Sequence, residues 1–412
     1  MSGILKGACI FGQSGGPTAV INASAYGVLK TALESDAITN VYGAAHGIRG
    51  VLDDRLYDIR QEDPDELRLL LHTPSSELGS CRYKMADPEA DDTDYRRILE
   101  IFQKYDVRYF FYNGGNDSMD TCNKISRYMQ AHDWECHVMG VPKTIDNDLC
   151  LTDHTPGFGS AAKYIASTIL EIAHDTFSYP VPSVTIVEIM GRDAGWLTSA
   201  SALARNEYNT APHLIYLPEA PFDTAQFLAD VKELLKKQNT VIIAVSEGIR
   251  DKNGNYISAA SQTTDGFGHS HLSGAGKALE NFVTSNIDIK VRSIEINVLQ
   301  RSGAHISSAT DLTESFELGH HAVELAEEGV TGCMVTLKRL SSNPYKVAYG
   351  HENVAKIANE IRSVPREWIN EAGNDVLPPM YEYLRPLIIG EPDIRYKNGL
   401  PDYMDISHLT KA

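Results

Sequence analysis

The stretch YFFYNGGNDSMDTCNKISRYMQA (109–131) sets the pattern of the chain: an apolar run, two glycines, and then apolar residues at helical spacing. This order is typical of a buried strand that turns directly into a helix. Further apolar runs of the strand type lie at 137–142, 184–190, 213–219, 240–248, 293–300 and 332–339. Helical spacing recurs between them, at 160–174, 193–204, 224–237 and 314–328. Such alternation predicts an α/β fold whose mostly parallel sheets are covered by helices on both faces.

The length and the strand ends indicate how this fold is organised. A chain of 412 residues is long enough for two domains rather than one core. Most of the predicted strands end in turns that carry glycine, aspartate, arginine or glutamate. Because ligands of parallel sheets bind beyond the carboxyl ends of the strands, these turns are the candidate site. Residues 251–276 are polar and rich in glycine and serine, and they predict a long loop insertion.

Composition excludes several classes of function. The 37 Lys and Arg residues against 55 Asp and Glu residues give a net charge of −18, which argues against a nucleic-acid or anionic-membrane surface. No stretch approaches the roughly 20 apolar residues of a membrane span, and the N-terminus lacks a signal-peptide pattern. The six cysteines include no C-x-x-C pair, so we expect reduced thiols and a cytoplasmic protein.

Two glycine turns, each followed by helical spacing, are candidates for binding phosphate groups. In GQSGGPTAVIN (12–22), Gly15 and Gly16 allow the backbone to approach a phosphate, and the following helix directs free N–H groups at it. In NGGNDSMDT (113–121), Gly115 opens the turn and Asp117 is placed to hold a metal ion. A plain strand-to-helix turn remains the alternative for each. Two such turns in one chain favour a polyphosphate site.

The run PKTIDND (142–148) combines the charges that phosphoryl transfer to an alcohol requires. Asp146 and Asp148 supply carboxylates, one of which can act as a base, and Lys143 supplies a positive charge. A surface turn would have a similar composition. Further candidates stand at strand ends: Arg192 in EIMGRDAGWL (188–197) and Glu247 in VSEGIR.

In this order, the motifs resemble those of the phosphofructokinases. The resemblance covers most of the chain and rests on GQSGGPTAVIN, LGSCRYK (78–84), NGGNDS, PKTIDND, TPGFGSA (155–161), MGRDAGWL, SEG and QRSG (300–303). It implies two three-layer α/β domains with the active site in the cleft between them. The donor-binding domain would comprise 1–157 plus about 300–360, and the fructose 6-phosphate-binding domain 158–299 plus about 361–412.

The resemblance also implies roles for individual residues. Asp146 would take the proton from the 1-hydroxyl of fructose 6-phosphate, with Lys143 and Asp117 completing the catalytic group. Substrate binding is implied for Thr144, Ile145, Asp148, Met190, Gly191, Arg192, Glu247, Arg301 and, from a neighbouring subunit, Arg292. Donor binding is implied for Gly15, Gly16, Gly115, Arg82 and Lys84. Asn116 and Asp117 would hold Mg²⁺, and the shared site would require a homo-oligomer, most simply a dimer.

Two positions decide the phosphoryl donor. ATP users of the family have glycine after the acidic residue of their GGD motif and glycine before TIDND, where this chain has Asp117 and Lys143. A carboxylate at 117 would repel the α-phosphate of a nucleotide, and an ammonium at 143 would stabilise pyrophosphate. The chain therefore looks like the pyrophosphate-dependent type. The expected reaction is the reversible, Mg²⁺-dependent conversion of fructose 6-phosphate and pyrophosphate into fructose 1,6-bisphosphate and phosphate.

Three departures keep alternatives open. Asn116 stands where the family has a metal-binding aspartate, Ser183 where compact members have an arginine, and Val298 where they have a histidine. Tyr383 and Arg385 in MYEYLRP (380–386) are candidates to compensate. The alternatives are an ATP-dependent phosphofructokinase and a non-catalytic regulatory subunit of the same fold. A nicotinamide-dependent oxidoreductase is disfavoured, because the G-x-G-x-x-A match at 157–162 follows a polar turn instead of a strand.

Overall fold

The structure is a computed structural model that describes residues 4–257, 274–358 and 360–409. Its strands are β1 (Gly7–Gln13), β2 (Ile38–Ala44), β3 (Leu56–Asp58), β4 (Val107–Gly114), β5 (His137–Pro142), β6 (Ser183–Ile189), β7 (Leu214–Tyr216), β8 (Thr240–Ser246), β9 (Lys290–Glu295), β10 (Cys333–Ser342), β11 (Tyr345–Asn353), β12 (Tyr396–Lys397) and β13 (Leu400–Pro401). Its α-helices are α1 (Ile21–Glu34), α2 (Ile48–Leu52), α3 (Pro64–Leu67), α4 (Thr93–Lys104), α5 (Asn116–Ala131), α6 (Phe158–Phe177), α7 (Trp196–Ala200), α8 (Thr224–Leu235), α9 (Ala275–Thr284), α10 (Leu299–Ser302), α11 (Ala309–Glu327) and α12 (Pro378–Leu384).

Within the described residues, a larger sheet has the strand order β11-β10-β5-β4-β1-β2-β3. Its inner strands pair in parallel, whereas β3 and β11 pair antiparallel at the two edges. A smaller sheet has the order β7-β8-β6-β9, with parallel pairing throughout. The predicted α/β class with mostly parallel sheets is therefore confirmed.

Each sheet is buried on both faces, which explains the unbroken apolar runs of the sequence. In the larger sheet, Ile10 and Phe110 pack into one apolar cluster, while their neighbours Phe11 and Phe111 pack into another on the opposite face. The smaller sheet divides its residues in the same way; Val187 lies in one cluster and Ile186 in the next. Because successive strand residues point to opposite faces, both faces must be apolar when helices cover both.

Some sequence predictions require correction. The strand expected at 293–300 instead spans Lys290–Glu295, and Leu299–Ser302 forms a helical turn. This strand, β9, lies at the edge of its sheet and is half-exposed, so its apolar pattern marks its ends poorly. The loop expected at 251–276 gives way to α9 at Ala275, and its residues 258–273 lie outside the described part. The second strand of the β10–β11 hairpin was not predicted.

The strands of the larger sheet lie within 7–142 and 333–353, and those of the smaller sheet within 183–295. Assignment of the two sheets to a donor-binding and a sugar-phosphate-binding domain stays a prediction. In the described ranges, no helix combines the length and the apolarity that crossing a membrane would require.

Candidate active site

A cleft of about 430 Å³ lies where the carboxyl ends of the two sheets meet. Turns after β1, β4 and β5 supply one wall, and turns after β6 and β8 supply the other. Residues predicted from sequence that line this cleft are Gly15, Gly16, Arg82, Gly115, Asn116, Asp117, Lys143, Thr144, Ile145, Asp146, Asp148, Met190, Arg192, Glu247 and Arg301. The geometry thus brings together most of the candidate residues.

Three predicted residues do not line this cleft. Lys84 is exposed elsewhere on the surface. Gly191 lies buried just behind the wall, where its amide donates to Glu247 Oε1 over 3.3 Å. Arg292 is on β9, and its guanidinium binds Thr185, Thr176 and Asp175 of its own chain. The prediction that Arg292 serves a neighbouring subunit concerns a second chain and stays a prediction.

Sequence reasoning did not assign five lining residues to the site: Pro17, Ser118, Asp193, Ala194 and Ile361. The first four lie within quoted motifs, next to residues that were predicted for the site, so the motifs located them without assigning them a role in the site. Ile361 follows no strand and has no motif around it, and it is 52% exposed. Its place in the cleft depends on tertiary packing of the C-terminal segment.

The first glycine turn is held open by hydrogen bonds from a distant segment. Gly15 has φ +76°, in the left-handed region that favours glycine. Its amide donates to the Cys81 carbonyl over 3.1 Å, and its own carbonyl accepts from Ser80 Oγ over 2.7 Å. A Cβ at Gly16 would lie 2.8 Å from Arg301 Nη1 and 3.4 Å from Arg82 Nη2. The turn therefore places bare backbone beside two guanidinium groups.

Lys143 is the cation at the centre of this wall. Its side chain is 3% exposed, and its Nζ donates to the Gly16 carbonyl over 2.7 Å. Burial, together with the positive charges of Arg82 and Arg301, lowers the pKa of Lys143 to about 7. Asp146 and Asp148 act in the opposite direction. Without a ligand, the amine therefore loses its proton far more readily than an ordinary lysine.

Asn116 and Asp117 begin α5 and suit a hard divalent cation. The Asn116 side-chain oxygen is buried and accepts no hydrogen bond from the described part of the chain. An orphaned oxygen beside a carboxylate, both on the cleft wall, fits Mg²⁺, which typically uses one or two protein oxygens and takes the rest from phosphates and water. Elsewhere in the described ranges, no group of three or more His, Cys, Asp or Glu side chains could hold a metal ion.

The TIDND loop (144–148) presents two acids to the cleft. Thr144 Oγ1 accepts from the Asp146 amide over 3.1 Å, which fixes the turn between them. Burial raises the pKa of Asp146, although Arg192, Lys143 and Arg301 oppose the shift. Burial and the neighbouring Asp146 raise the pKa of Asp148 to about 7. Crowded, half-buried carboxylates of this kind are typical of a site that must bind or move a proton.

The opposite wall carries groups suited to a polyhydroxylated anion. Arg192 lies at the end of β6, and its Nε is buried without a hydrogen-bond partner in the described chain. Burial and Asp146 raise the pKa of Glu247 to about 8, so this carboxyl is largely protonated at neutral pH. Arg301 adjoins Gly16; burial and the neighbouring Arg82 lower its pKa, and Asp146 opposes this shift.

Of the three departures from the family pattern, Asn116 lines the cleft, whereas Ser183 and Val298 do not. Ser183 begins β6, and Val298 is 47% exposed. Arg385 is exposed and lies over the Tyr381 ring. Tyr383 is buried behind the TIDND loop, where its hydroxyl accepts from Asn147 Nδ2 over 2.9 Å. Neither Tyr383 nor Arg385 is among the residues that line the cleft, so they do not compensate there for the missing side chains.

Comparisons with known proteins extend the resemblance over nearly the whole chain. A family model described as Phosphofructokinase matches residues 9–326. The pyrophosphate–fructose 6-phosphate 1-phosphotransferase of Halomonas elongata is 42% identical, covering 95% of this chain and 94% of its own. The protein of the same name from Methylococcus capsulatus is 39% identical, covering 97% and 96%. A crystal structure of pyrophosphate-dependent phosphofructokinase from Nitrosospira multiformis superposes with a TM-score of 0.90 at 37% identity, covering 99% of this chain and 98% of that chain.

Proposed function

This chain belongs to the phosphofructokinase family, and from that membership we propose that it transfers a phosphoryl group from pyrophosphate to the 1-hydroxyl of fructose 6-phosphate. The products are fructose 1,6-bisphosphate and inorganic phosphate. Both the donor and the leaving group are simple phosphates, so the reaction runs in either direction.

One observation carries the choice of donor. The buried amine of Lys143 lies against the Gly16 carbonyl, on the same cleft wall as Asp117. These two charges occupy the positions where ATP users of the family have glycines. Pyrophosphate needs a cation for its charge and no room for a nucleoside, and the two side chains meet both conditions.

Asp146 acts as the base in the proposed reaction. Burial raises the pKa of its carboxyl above the ordinary range, which brings its basicity closer to what proton removal from an alcohol requires. Lys143, together with the backbone of Gly15 and Gly16, stabilises charge on the transferring group. A bound pyrophosphate favours the ammonium form of Lys143, since an opposite charge raises the pKa of an amine.

Asn116 and Asp117 would hold Mg²⁺ together with oxygens of the donor. When bound, the ion offsets negative charge on pyrophosphate. The neutral amide of Asn116 contributes an oxygen without charge, and Asp117 contributes the carboxylate.

The sugar phosphate binds the opposite wall. Arg192 offers a planar donor set to phosphate or hydroxyl oxygens, and the protonated Glu247 can both donate to and accept from a sugar hydroxyl. Met190 completes this wall, and Thr144 and Asp148 contribute to the sugar site from the turn after β5. Arg301 binds the sugar phosphate, and its place beside Gly16 also brings it near the transferring group.

The organisation of the molecule follows from the same proposal. The larger sheet belongs to a donor-binding domain and the smaller sheet to a sugar-phosphate-binding domain. Arg292 does not line the cleft of its own chain, and the proposal assigns it to the site of a neighbouring subunit in a homodimer. All six cysteines, every one in the described part, are free thiols, as expected of a protein in the reducing cytoplasm.

A direct assay tests the proposal. Fructose 1,6-bisphosphate formation is followed by coupling to aldolase, with pyrophosphate or ATP as donor and with or without Mg²⁺. We expect turnover with pyrophosphate and Mg²⁺ and little with ATP. If turnover with ATP were comparable, ATP would be assigned as the phosphoryl donor in place of pyrophosphate. Binding of fructose 6-phosphate without turnover on either donor would identify a non-catalytic subunit instead.

A further inference from the structure

Behind the TIDND loop lies a set of buried polar side chains that the proposed mechanism does not use. Asn147 is 0% and Tyr383 is 9% exposed, and neither lines the cleft. Arg362 lies beside them, although it is far from the loop in sequence. Burial of polar groups is costly unless they are hydrogen-bonded, so the partners of each group show what the set does.

Asn147 directly follows Asp146 and is held at both ends of its side chain. Its backbone has φ +56°, a left-handed conformation that asparagine tolerates better than most residues. Its Nδ2 donates to the Tyr383 hydroxyl over 2.9 Å, and its Oδ1 accepts from the Thr155 amide over 3.1 Å. The residue next to the proposed base therefore has a fixed side chain and a constrained backbone.

The Tyr383 hydroxyl joins three segments. It accepts from Asn147 Nδ2 and from Arg362 Nη2, both over 2.9 Å, and it donates to the Asp153 carbonyl over 2.7 Å. One O–H donor and two acceptor lone pairs are thus fully used. Its ring centroid lies 5.2 Å from that of Trp196, so the hydroxyl is presented by a packed side chain.

Arg362 holds the other end of the loop. Its backbone amide donates to the Asp148 carbonyl over 2.8 Å. Its guanidinium donates to the Thr152 carbonyl over 2.7 Å and to the Asp153 carbonyl, and it lies 4.7 Å above the Trp196 ring. Asn147 and Asp148, the two residues after Asp146, are therefore both tied to the C-terminal segment.

We propose that Tyr383 and Arg362 are positioning residues, which hold Asp146 in place through Asn147 and Asp148. The proposal rests on the proposed function, because it assigns the benefit to the phosphoryl-transfer step. Transfer depends steeply on alignment, and displacement of a catalytic group by about 1 Å can cost about 100-fold in rate. Loss of the tether lets the loop that carries the base move, while the turns after β1, β4, β6 and β8 stay in place.

Two variants and a matched control test this proposal. Tyr383→Phe removes only the shared hydroxyl and keeps the packed ring. Arg362→Lys keeps a positive charge but cannot reach several acceptors in fixed directions. Tyr216→Phe is the control, because it removes another buried hydroxyl, bonded to Asp230 over 3.2 Å, at a residue that does not line the cleft. We expect kcat to fall about 10-fold or more in the first two variants, with both KM values within about twofold.

Amide hydrogen exchange of the full chain, read over residues 142–158, provides a readout that does not depend on activity. We expect faster exchange of this segment in Tyr383→Phe and Arg362→Lys than in the wild type and in Tyr216→Phe. Unchanged exchange, or faster exchange with an unchanged kcat, overturns the proposal, and so does an equal loss of kcat in the control. If the wild type itself does not turn over pyrophosphate, the proposed function fails, and the exchange comparison alone decides whether the two residues hold the loop.

Discussion

The Nζ of Lys143 donates a hydrogen bond over 2.7 Å to the carbonyl oxygen of Gly16, a residue 127 positions away in sequence. This contact joins the turn after β5 to the glycine turn after β1. Because the amine has this hydrogen-bond partner, Lys143 can be only 3% exposed and still line the cleft. The contact makes Lys143 the residue whose alteration is most informative about the donor.

Lys143→Met removes the amine and keeps the length of the side chain. We expect kcat/KM for pyrophosphate to fall by about 100- to 1,000-fold, the usual effect of removing one preorganised charge from a transferring group. Because burial already disfavours the ammonium, the melting temperature at pH 7 should not fall. Lys124→Met is the control, since Lys124 is also partly buried but binds Asp120 and lies outside the cleft. A wild-type kcat/KM in Lys143→Met would contradict the proposed role.

The double variant Asp117→Gly, Lys143→Gly tests the choice of donor. It removes the carboxylate that we propose opposes a nucleotide α-phosphate and the cation that we propose stabilises pyrophosphate. We expect kcat/KM for pyrophosphate to drop by about 100-fold or more and kcat/KM for ATP to rise above that of the wild type. The aldolase-coupled assay with each donor gives both values. Each single variant is measured alongside, and a double variant that gains nothing with ATP would show that other residues exclude the nucleotide.

We expect the pH dependence of the reaction to reflect the protonation of Lys143. Burial, Arg82 and Arg301 lower its pKa to about 7, so in the free enzyme the cation is present below that pH and is lost as the pH rises through it. Since kcat/KM reports the free enzyme, kcat/KM for pyrophosphate should fall above about pH 7.

Lys143→Arg keeps the charge at all working pH values, and it should therefore move this alkaline limb to higher pH. Pyrophosphate ionises identically in both assays, so a difference between the two profiles belongs to the enzyme. Superimposable profiles would assign the limb to another group.

Most of the cleft residues could be predicted from the sequence, because the cleft lies at the carboxyl ends of parallel strands. Gly15, Asp117, Asp146, Arg192 and Glu247 each follow a strand, and the carboxyl ends of parallel strands meet at one edge. Short motifs that fall tens of residues apart therefore converge without any long-range information. This rule places the strand-end residues together, whereas their division into donor-binding and sugar-binding residues came from the family resemblance.

The supporting contacts could not be predicted in the same way. Arg362 and Tyr383 reach the TIDND loop, and Ile361 reaches the cleft, through tertiary packing that no periodicity or turn signal in their own segment indicates. The edge strands β9 and β11 were also misplaced or missed. Both are half-exposed, so their apolar pattern is weaker than that of strands buried on both faces.

The first glycine turn provides a matched pair of serine variants. Ser80 Oγ donates to the Gly15 carbonyl over 2.7 Å, whereas Ser76 Oγ is buried without a partner in the described chain. A hydrogen bond of this kind contributes about 1 kcal/mol, so Ser80→Ala should raise KM for pyrophosphate about fivefold and leave KM for fructose 6-phosphate unchanged. Ser76→Ala should change neither value. Equal changes of KM in both variants, or a change in KM for fructose 6-phosphate alone, would mean that Ser80 does not support pyrophosphate binding through the glycine turn.

We expect Asp148→Asn to weaken the binding of fructose 6-phosphate and to stabilise the folded protein, with a stabilisation that grows as the pH rises. Burial and the neighbouring Asp146 raise the pKa of Asp148 to about 7, so between the ordinary carboxyl pKa and that value the folded chain binds more protons than the unfolded chain. Folding stability of the wild type therefore falls as the pH rises through this interval, and an amide at 148 escapes the loss.

The ligand-free melting temperatures of the two proteins should accordingly be close at pH 5 and diverge by pH 8. With about 2–4 °C per kcal/mol for a large domain, we expect Asp148→Asn to melt a few degrees higher at pH 8 while its KM for fructose 6-phosphate rises. Thermal unfolding from pH 5 to pH 8 measures this, with the exposed Glu371→Gln as the control for loss of one carboxylate. A difference in melting temperature that does not grow with pH would mean that ionisation of Asp148 does not destabilise the folded protein. Only a carboxyl whose pKa is raised by folding can make this difference grow with pH.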